Sequence, residues 1–495
     1  MVLKRIAGLL PFVGVIALSG CAVGPNFVEP QPPVVAGYLP DGTGRNPGQR
    51  ATYGAELTAR WWGLFGSGHL NTLIEQGIAN NPDLKAAEAA VRMAQANALA
   101  VRGGLFPTLG GNFNASRQQN PGAALASNAA SGSDLYSLHT AQLSVGYVLD
   151  VWGGNRRALE SAVASAEQQL FLREAIYLTL TANIALAAIQ EASLRGQIEA
   201  TRRVIEIQLQ QLDLLRKQSE AGQIAEGDVV AQETAVAQAR LLLPPLEKQL
   251  AQQRHLLATL TGRFPADHIA ARFRLSSFKL PRKIPLSLPA DFVRQRPDVR
   301  AAEANVHALN AQIGVAIANR LPQITLSGNT GSTADAMGRL FTTGTGFWTI
   351  AGNLAQPIFD GGTLRARQMQ AEAAWVQAAE QYRSTVLTAF QNVADALRAL
   401  QADDRLVAAA RNAEQSASRS IELVKGQVAQ GQASLPALLN AQNAYLQTSL
   451  ARVQAEAQRL ADTVALFQAL GGGWWNAAEP VILAEPRVQL KSTPF

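Results

Sequence analysis

The chain has 495 residues, 47% of them apolar and 16% charged, with a net charge of +6 and a single cysteine, Cys21. This is the composition of a folded protein rather than a disordered one. It allows no intrachain disulfide, and the basic excess is dispersed without a cluster, so no nucleic-acid surface is indicated.

At the N-terminus, Lys4 and Arg5 precede the short apolar run "IAGLLPFVGVIA", which "LSGC" closes at Cys21. A segment this short reads as a secretory signal and not as a membrane span. "Leu18-Ser19-Gly20-Cys21" resembles a bacterial lipobox, which implies cleavage after residue 20 and a lipid on Cys21. Ala22 in the following position implies sorting to the outer membrane. No later run of about 20 apolar residues is seen, so no transmembrane helix is expected. Residues 21–60 are rich in Pro and Gly and read as an extended tether or a strap lying on the body.

Helical periodicity begins with Leu70, Leu73, Ile74 and Ile78 and runs to Gly103-Gly104. Between residues 105 and 150 the period changes to two. Leu109, Phe113 and Ala115 alternate with Thr108, Asn112 and Asn114, and Leu143, Val145 and Tyr147 alternate with Gln142, Ser144 and Gly146. This is a hairpin with one apolar and one polar face. From Arg156 to Ala221 there is no Pro and only one Gly, which predicts a helix of roughly 100 Å. A turn at 217–228 leads into a returning helix that ends at Leu260.

The programme then repeats. "NNPDLKAAEAAV" at 80–91 is echoed by "QRPDVRAAEANV" at 295–306, and the register holds as far as Phe106-Pro107 on Leu321-Pro322. A second helix leads to a second hairpin at 322–358, where Ile324, Leu326, Trp348, Ile350 and Leu354 occupy the apolar phase. Thr363 to Lys425 contains neither Gly nor Pro, and a second long helix is expected. A turn at 426–437 and a last helix to about Gly471 complete the unit. The expected organisation is therefore a signal at 1–20, a tether at 21–60, one unit at 61–270, a linker at 271–288, a second unit at 289–473 and a tail at 474–495.

Apolar-out, polar-in strands of about ten residues mark an outer-membrane barrel; a soluble sheet covered by a helix is the other reading of the pattern. Four strands cannot close a membrane barrel, because the smallest has eight, and open edges are not tolerated in hydrocarbon. Three copies would supply twelve. The long helices are dominated by Ala, Gln and Glu and lack the Leu and Ile density of a solid coiled coil. They suit a wall one helix thick. Tyr136, Tyr147, Phe347 and Trp348 lie in or beside the strands, either as part of an aromatic girdle or as ordinary strand packing. Trp61-Trp62 and Trp474-Trp475 are assigned to packing of the body.

"GCAVGPNF", "WWGLFGSGHLNTLI", "DVWGG", "LPQITLSGNTG", "PIFDGG" and "LNAQNAYL" together resemble the TolC-like outer-membrane efflux family, in particular the NodT-type lipoproteins. The resemblance covers nearly the whole chain. It implies a mainly α fold with a membrane β part: a long α-helical barrel on a trimeric twelve-stranded β-barrel. It also implies passive export of substrates delivered by an inner-membrane RND-type transporter and a periplasmic membrane-fusion adaptor, in the outer membrane of a Gram-negative cell. Drug efflux is the leading reading; type I protein secretion, metal-ion efflux and a lipid-anchored coiled-coil scaffold are the alternatives. In the family an acidic residue commonly precedes the "AQ" of the second tip turn, where this chain has Asn440, and Asn443 stands where a basic partner is common. Pro436 occupies the first turn of the returning helix. Glu226 and Asp228 fit two roles, a tip gate and simple capping charge. No catalytic set, cofactor or metal is expected: the five histidines are scattered, no phosphate loop or serine elbow is present, and Asp403-Asp404 read as solvent-facing.

Overall fold

The computed structural model describes residues 22–476, apart from 32, 34, 36, 40–49, 56, 120–134, 268 and 288. Cys21 lies outside the described residues.

Helices α1 (Gly68–Asn80) and α2 (Pro82–Gly103) are two segments where the periodicity suggested one. Pro82 disfavours helical geometry at the residue before it, and Asn81 turns the break into a cap. Its Oδ1 accepts from the amides of Asp83 at 2.9 Å and Leu84 at 3.1 Å. The second unit breaks in the same way, between α6 (Pro289–Gln295) and α7 (Pro297–Ala318). The returning helix of the first unit is also divided, into α4 (Glu226–Leu241) and α5 (Leu243–Leu260). Pro244 and Pro245 there remove two amide donors. The second unit has no such prolines, and its returning helix α9 (Leu435–Ala469) is continuous.

Two helices of 67 residues dominate the molecule, α3 (Gly154–Glu220) and α8 (Thr363–Ala429). Each is about 100 Å long. Side by side they run α4/α5, α3, α9, α8, a wall one helix thick. Alanines such as Ala182, Ala185 and Ala188 on α3 are fully buried and allow close approach of the neighbouring helices. Among the described helices α3 is the one long and apolar enough, by length and composition, to cross a bilayer. More than half of that stretch is buried against the rest of the chain, so packing accounts for its apolarity.

Strands β2 (Thr108–Gln119), β3 (Leu135–Leu149), β5 (Gln323–Ala334) and β6 (Gly346–Ala355) form one antiparallel sheet in the order β2-β3-β5-β6. The two hairpins are joined through the β3–β5 ladder. A second, two-stranded parallel sheet pairs β1 (Arg50–Tyr53) with β4 (Lys283–Leu286). The supposed tether and the supposed linker are thus bonded to each other. Further up the same segment, the Tyr38 hydroxyl donates to the Ser287 carbonyl at 3.0 Å, and its ring packs on Phe292 and Phe390. The segment is a strap.

The main core lies in the middle of the long helices. Trp61, Trp62, Phe65 and Phe467 pack there ring against ring. Glu191 is buried in this region and fully engaged: Arg195 donates to it at 2.7 and 2.9 Å and the Phe273 amide at 2.9 Å. The last contact straps residues 272–280 onto α3.

Candidate functional site

The sheet register decides which side chains share a face. Leu109 pairs with Val145, Val145 with Gly328, and Gly328 with Ile350. Carried along the strands, this phase gathers Phe113, Leu143, Leu326 and Leu354 on one face. The opposite phase carries Asn112, Gln142, Ser144, Ser327, Asn329 and Asn353. The apolar face is bare in the single chain, with Trp348 74% and Ile350 81% exposed. Nothing in a water-facing sheet leaves such side chains uncovered over four strands.

The same register sorts the aromatic residues. Tyr147 pairs with Leu326 and Trp348 with Thr330, which places both on the apolar face, at levels four positions apart along β5. Tyr136 pairs with Gln118 and donates its hydroxyl to that side chain at 2.8 Å, and Phe347 pairs with Gly331. Both belong to the polar face. Tyr136 and Phe347 thus share the phase of the polar side chains, and Tyr147 and Trp348 that of the apolar ones: a shift of one residue along a strand reverses the face.

At the far end of the wall the two turns are built alike. Gly222 adopts φ +71° and Gly431 φ +72°, the left-handed conformation that glycine accepts most readily. Gln223 donates its amide to the Gln218 carbonyl at 2.8 Å, and Gln432 donates to Gln427 at 2.8 Å. Leu215, Ile421, Leu435, Leu438 and Ala441 close this tip with a small apolar cluster. Glu226 and Asp228 fall in the first turn of α4, whose N-cap Ala225 offers no side-chain acceptor; they supply the negative charge favoured there. Pro436 opens α9. Asn440 and Asn443 follow at spacings of four and three, so the three make one stripe, exposed in the single chain. In the first unit the position of Asn440 is held by Ala231.

Charged residues in the wall are placed by the duplication. Arg202 donates to Glu247 at 2.7 Å and Arg411 to Glu456 at 2.8 Å. The displacement that carries Gly222 onto Gly431 carries each member of one pair onto the other. The second unit adds Arg452, which bonds Glu414 and, at 3.1 Å, Glu456. These pairs line a cleft of about 1310 Å³ between the helices and residues 272–280. A lateral hydrogen bond also joins two side-chain amides: Gln454 of α9 donates to Gln197 of α3 at 3.1 Å, and Gln197 in turn donates to the Ser193 hydroxyl of its own helix at 3.1 Å.

The expectation for Asp403-Asp404 fails. Asp403 is 5% exposed, set between α8 and α9 beside Asp462 and Arg459. Asp404 pairs with Arg459. Burial, followed by a hydrogen bond shared with the Asp462 carboxylate, pushes the Asp403 carboxyl up to about 7. The adjacency of the two aspartates carried no signal of this, because the partner arrives from another helix. Among the described residues no cluster of His, Cys, Asp and Glu is suited to a metal ion.

With this geometry in place, comparison with known proteins gives a consistent result. Residues 73–263 and 288–472 each match the outer membrane efflux protein family. The pyoverdine export outer membrane protein OpmQ of Pseudomonas putida is 31% identical over 477 residues, 96% of this chain and 98% of the relative. The toluene efflux pump outer membrane protein TtgC of Pseudomonas putida is 30% identical over 461 residues, 93% and 94% of the two chains. Among solved structures, the outer-membrane channel OprN superposes with a TM-score of 0.84 at 26% identity, covering 92% of this chain and all of that one.

The Asp403 contact yields a pH dependence with a definite sign. A carboxyl held above the usual aspartate value near 4 keeps its proton-sharing contact intact at low pH and loses it as pH rises through about 7. Asp403→Asn retains a neutral hydrogen-bonding group at every pH. In thermal unfolding followed by circular dichroism, the wild type should match the variant only below about pH 4, fall progressively behind it as pH rises, and level off above about 7. Parallel profiles would contradict the shared proton.

Proposed function

Since the chain belongs to the outer membrane efflux protein family, we propose that three copies assemble into one export duct, each giving four strands to a twelve-stranded barrel and its long helices to a periplasmic tube. That the protein is an outer-membrane efflux channel follows from its family and its relatives. The assembly is our own step. It is carried by one observation: a sheet with a bare apolar face and with β2 and β6 unpaired on their outer sides. In a bilayer both edges must be closed, and identical chains close them by cyclic symmetry.

The apolar phase faces lipid and the polar phase faces the lumen. Tyr147 and Trp348 then both face lipid. Cys21 carries lipid and anchors the chain in the outer membrane. At the tip, Asn440 and Asn443 in place of charged residues make a polar constriction without a charged ring. Glu226 and Asp228 serve as capping charges. An inner-membrane RND-type transporter and a membrane-fusion adaptor deliver the cargo, which the duct conducts passively. Relatives named for pyoverdine export and toluene efflux favour small organic molecules over secreted proteins and metal ions. A coiled-coil scaffold leaves the sheet without purpose.

Two experiments test this reading. Purified protein in planar bilayers should give discrete ion-conducting steps; membranes that stay silent at saturating protein would overturn the channel. Ile350→Arg places a charge in the lipid-facing phase and should cost about 2–4 kcal/mol of membrane stability per chain. Ser327→Arg, in the lumenal phase, should be tolerated and should alter ion selectivity. Equal damage from the two substitutions would contradict the assignment of faces.

A further inference from the structure

The residues that follow Cys21 occupy a shaped seat at the base of the sheet. Arg157, on the first turn of α3, is only 4% exposed. Its guanidinium donates to the Val23 carbonyl at 3.2 Å, the Gly24 carbonyl at 3.4 Å, the Asn26 side chain at 2.6 Å and Glu160 at 2.7 Å. Three of these four acceptors belong to the strap. Without them a buried cation would face Glu160 alone, an expensive arrangement.

Shape adds to charge. Gly24 has φ +91°, and a Cβ built on it would stand 2.6 Å from the Gly314 Cα of α7. A Cβ on Gly314 would in turn stand 2.8 Å from the Val23 carbonyl oxygen. Val23 donates its amide to the Trp152 carbonyl at 2.9 Å. Phe27 stacks on His307 with centroids 4.3 Å apart, and His307 meets Glu160 at 3.0 Å. Arg294 pairs with Glu29 at 3.2 Å and closes the far end.

Among the described residues the second unit has no such seat. Arg365 stands in "IFDGGTLRA" where Arg157 stands in "DVWGGNRRA", yet it is exposed, and no strap lies on it. The register that sets Pro82 on Pro297 sets Leu99 on Gly314. A leucine there would fill the space that Gly24 needs.

We propose that Arg157 and Gly314 form a binding site for the chain's own acyl-proximal segment, residues 22–29, and that this site ties the lipid anchor to the base of the sheet at one place per protomer. The anchoring half rests on the reading of Cys21 as lipidated; the seat does not. Arg157 is the recognising residue, Gly314 the residue that makes room, and chain connectivity links the seated Ala22 to whatever Cys21 carries.

Hydrogen exchange on the full-length protein in detergent tests both halves separately. The Val23 amide, which donates to the Trp152 carbonyl, should be protected in the wild type. Arg157→Ala and Gly314→Leu should speed its exchange by roughly tenfold or more and leave the sheet unchanged. Gly24→Ala, which alters only the strap, should do the same should either body variant fold poorly. Arg365→Ala should have no effect there. The seat is overturned by wild-type exchange as fast as that of a free peptide, by unchanged protection in Gly314→Leu and Gly24→Ala, or by release in Arg365→Ala. A palmitate probe reads Cys21 independently: incorporation is expected, and protection without incorporation would overturn the anchoring half alone.

Discussion

The rest of the molecule depends on one constraint: a four-stranded sheet that is apolar on one face and open at both edges. Backbone amides and carbonyls at an edge have no partner in hydrocarbon, and each costs several kcal/mol if left bare. The chain cannot satisfy β2 and β6 internally, because sequence order places them on opposite sides of the β3–β5 ladder. The need for other copies is therefore written in the strand order, before any interface is considered. The same strands continue into α3 and α8 within a few residues, so the symmetry that closes the sheet also sets how the helices meet.

The helical wall has a different physical basis. With so many alanines it holds less apolar area than a thick core, and polar contacts contribute much of its lateral register. Arg202–Glu247 and Arg411–Glu456 repeat the same bond in both units. Exposed pairs of this kind are worth at most about 1 kcal/mol each, so they align the helices more than they stabilise them. The buried contact of Asp403 with Asp462 is of another kind, since its strength changes with proton concentration. The strap joins α3 of the first unit to α7 of the second beneath the sheet, adding to the direct bonds of His307 to Glu160 and Gln312 to Ser161.

Much of this was legible in the sequence, for reasons that can be named. The long helices were visible through the absence of Gly and Pro, and the strands through a period of two that survives in the register as one apolar face. The tip turns were readable because Gly222 and Gly431 sit at equivalent positions. What was hidden depends on contacts between distant segments. Tyr136 and Phe347 looked like girdle residues by proximity, and only the pairing shows which face each occupies. Asp403 looked solvent-facing because its partner, Asp462, is 59 positions away. The pairing of β1 with β4 joins a stretch read as a tether or a strap to one read as a linker, and decides for the strap. The two Arg–Glu pairs were within reach, since laying one unit on the other aligns both members. That comparison also exposes Leu99 against Gly314, the place where the copies stop being interchangeable.

The claim that three chains share one barrel is tested most directly by cross-linking β2 to β6 in membranes and counting chains. With single cysteines introduced on the polar phase of each edge strand, the account requires covalent bonds between neighbours and a largest cross-linked species of three chains. A protein that remains monomeric in the membrane, or that closes with another number of chains, would contradict it.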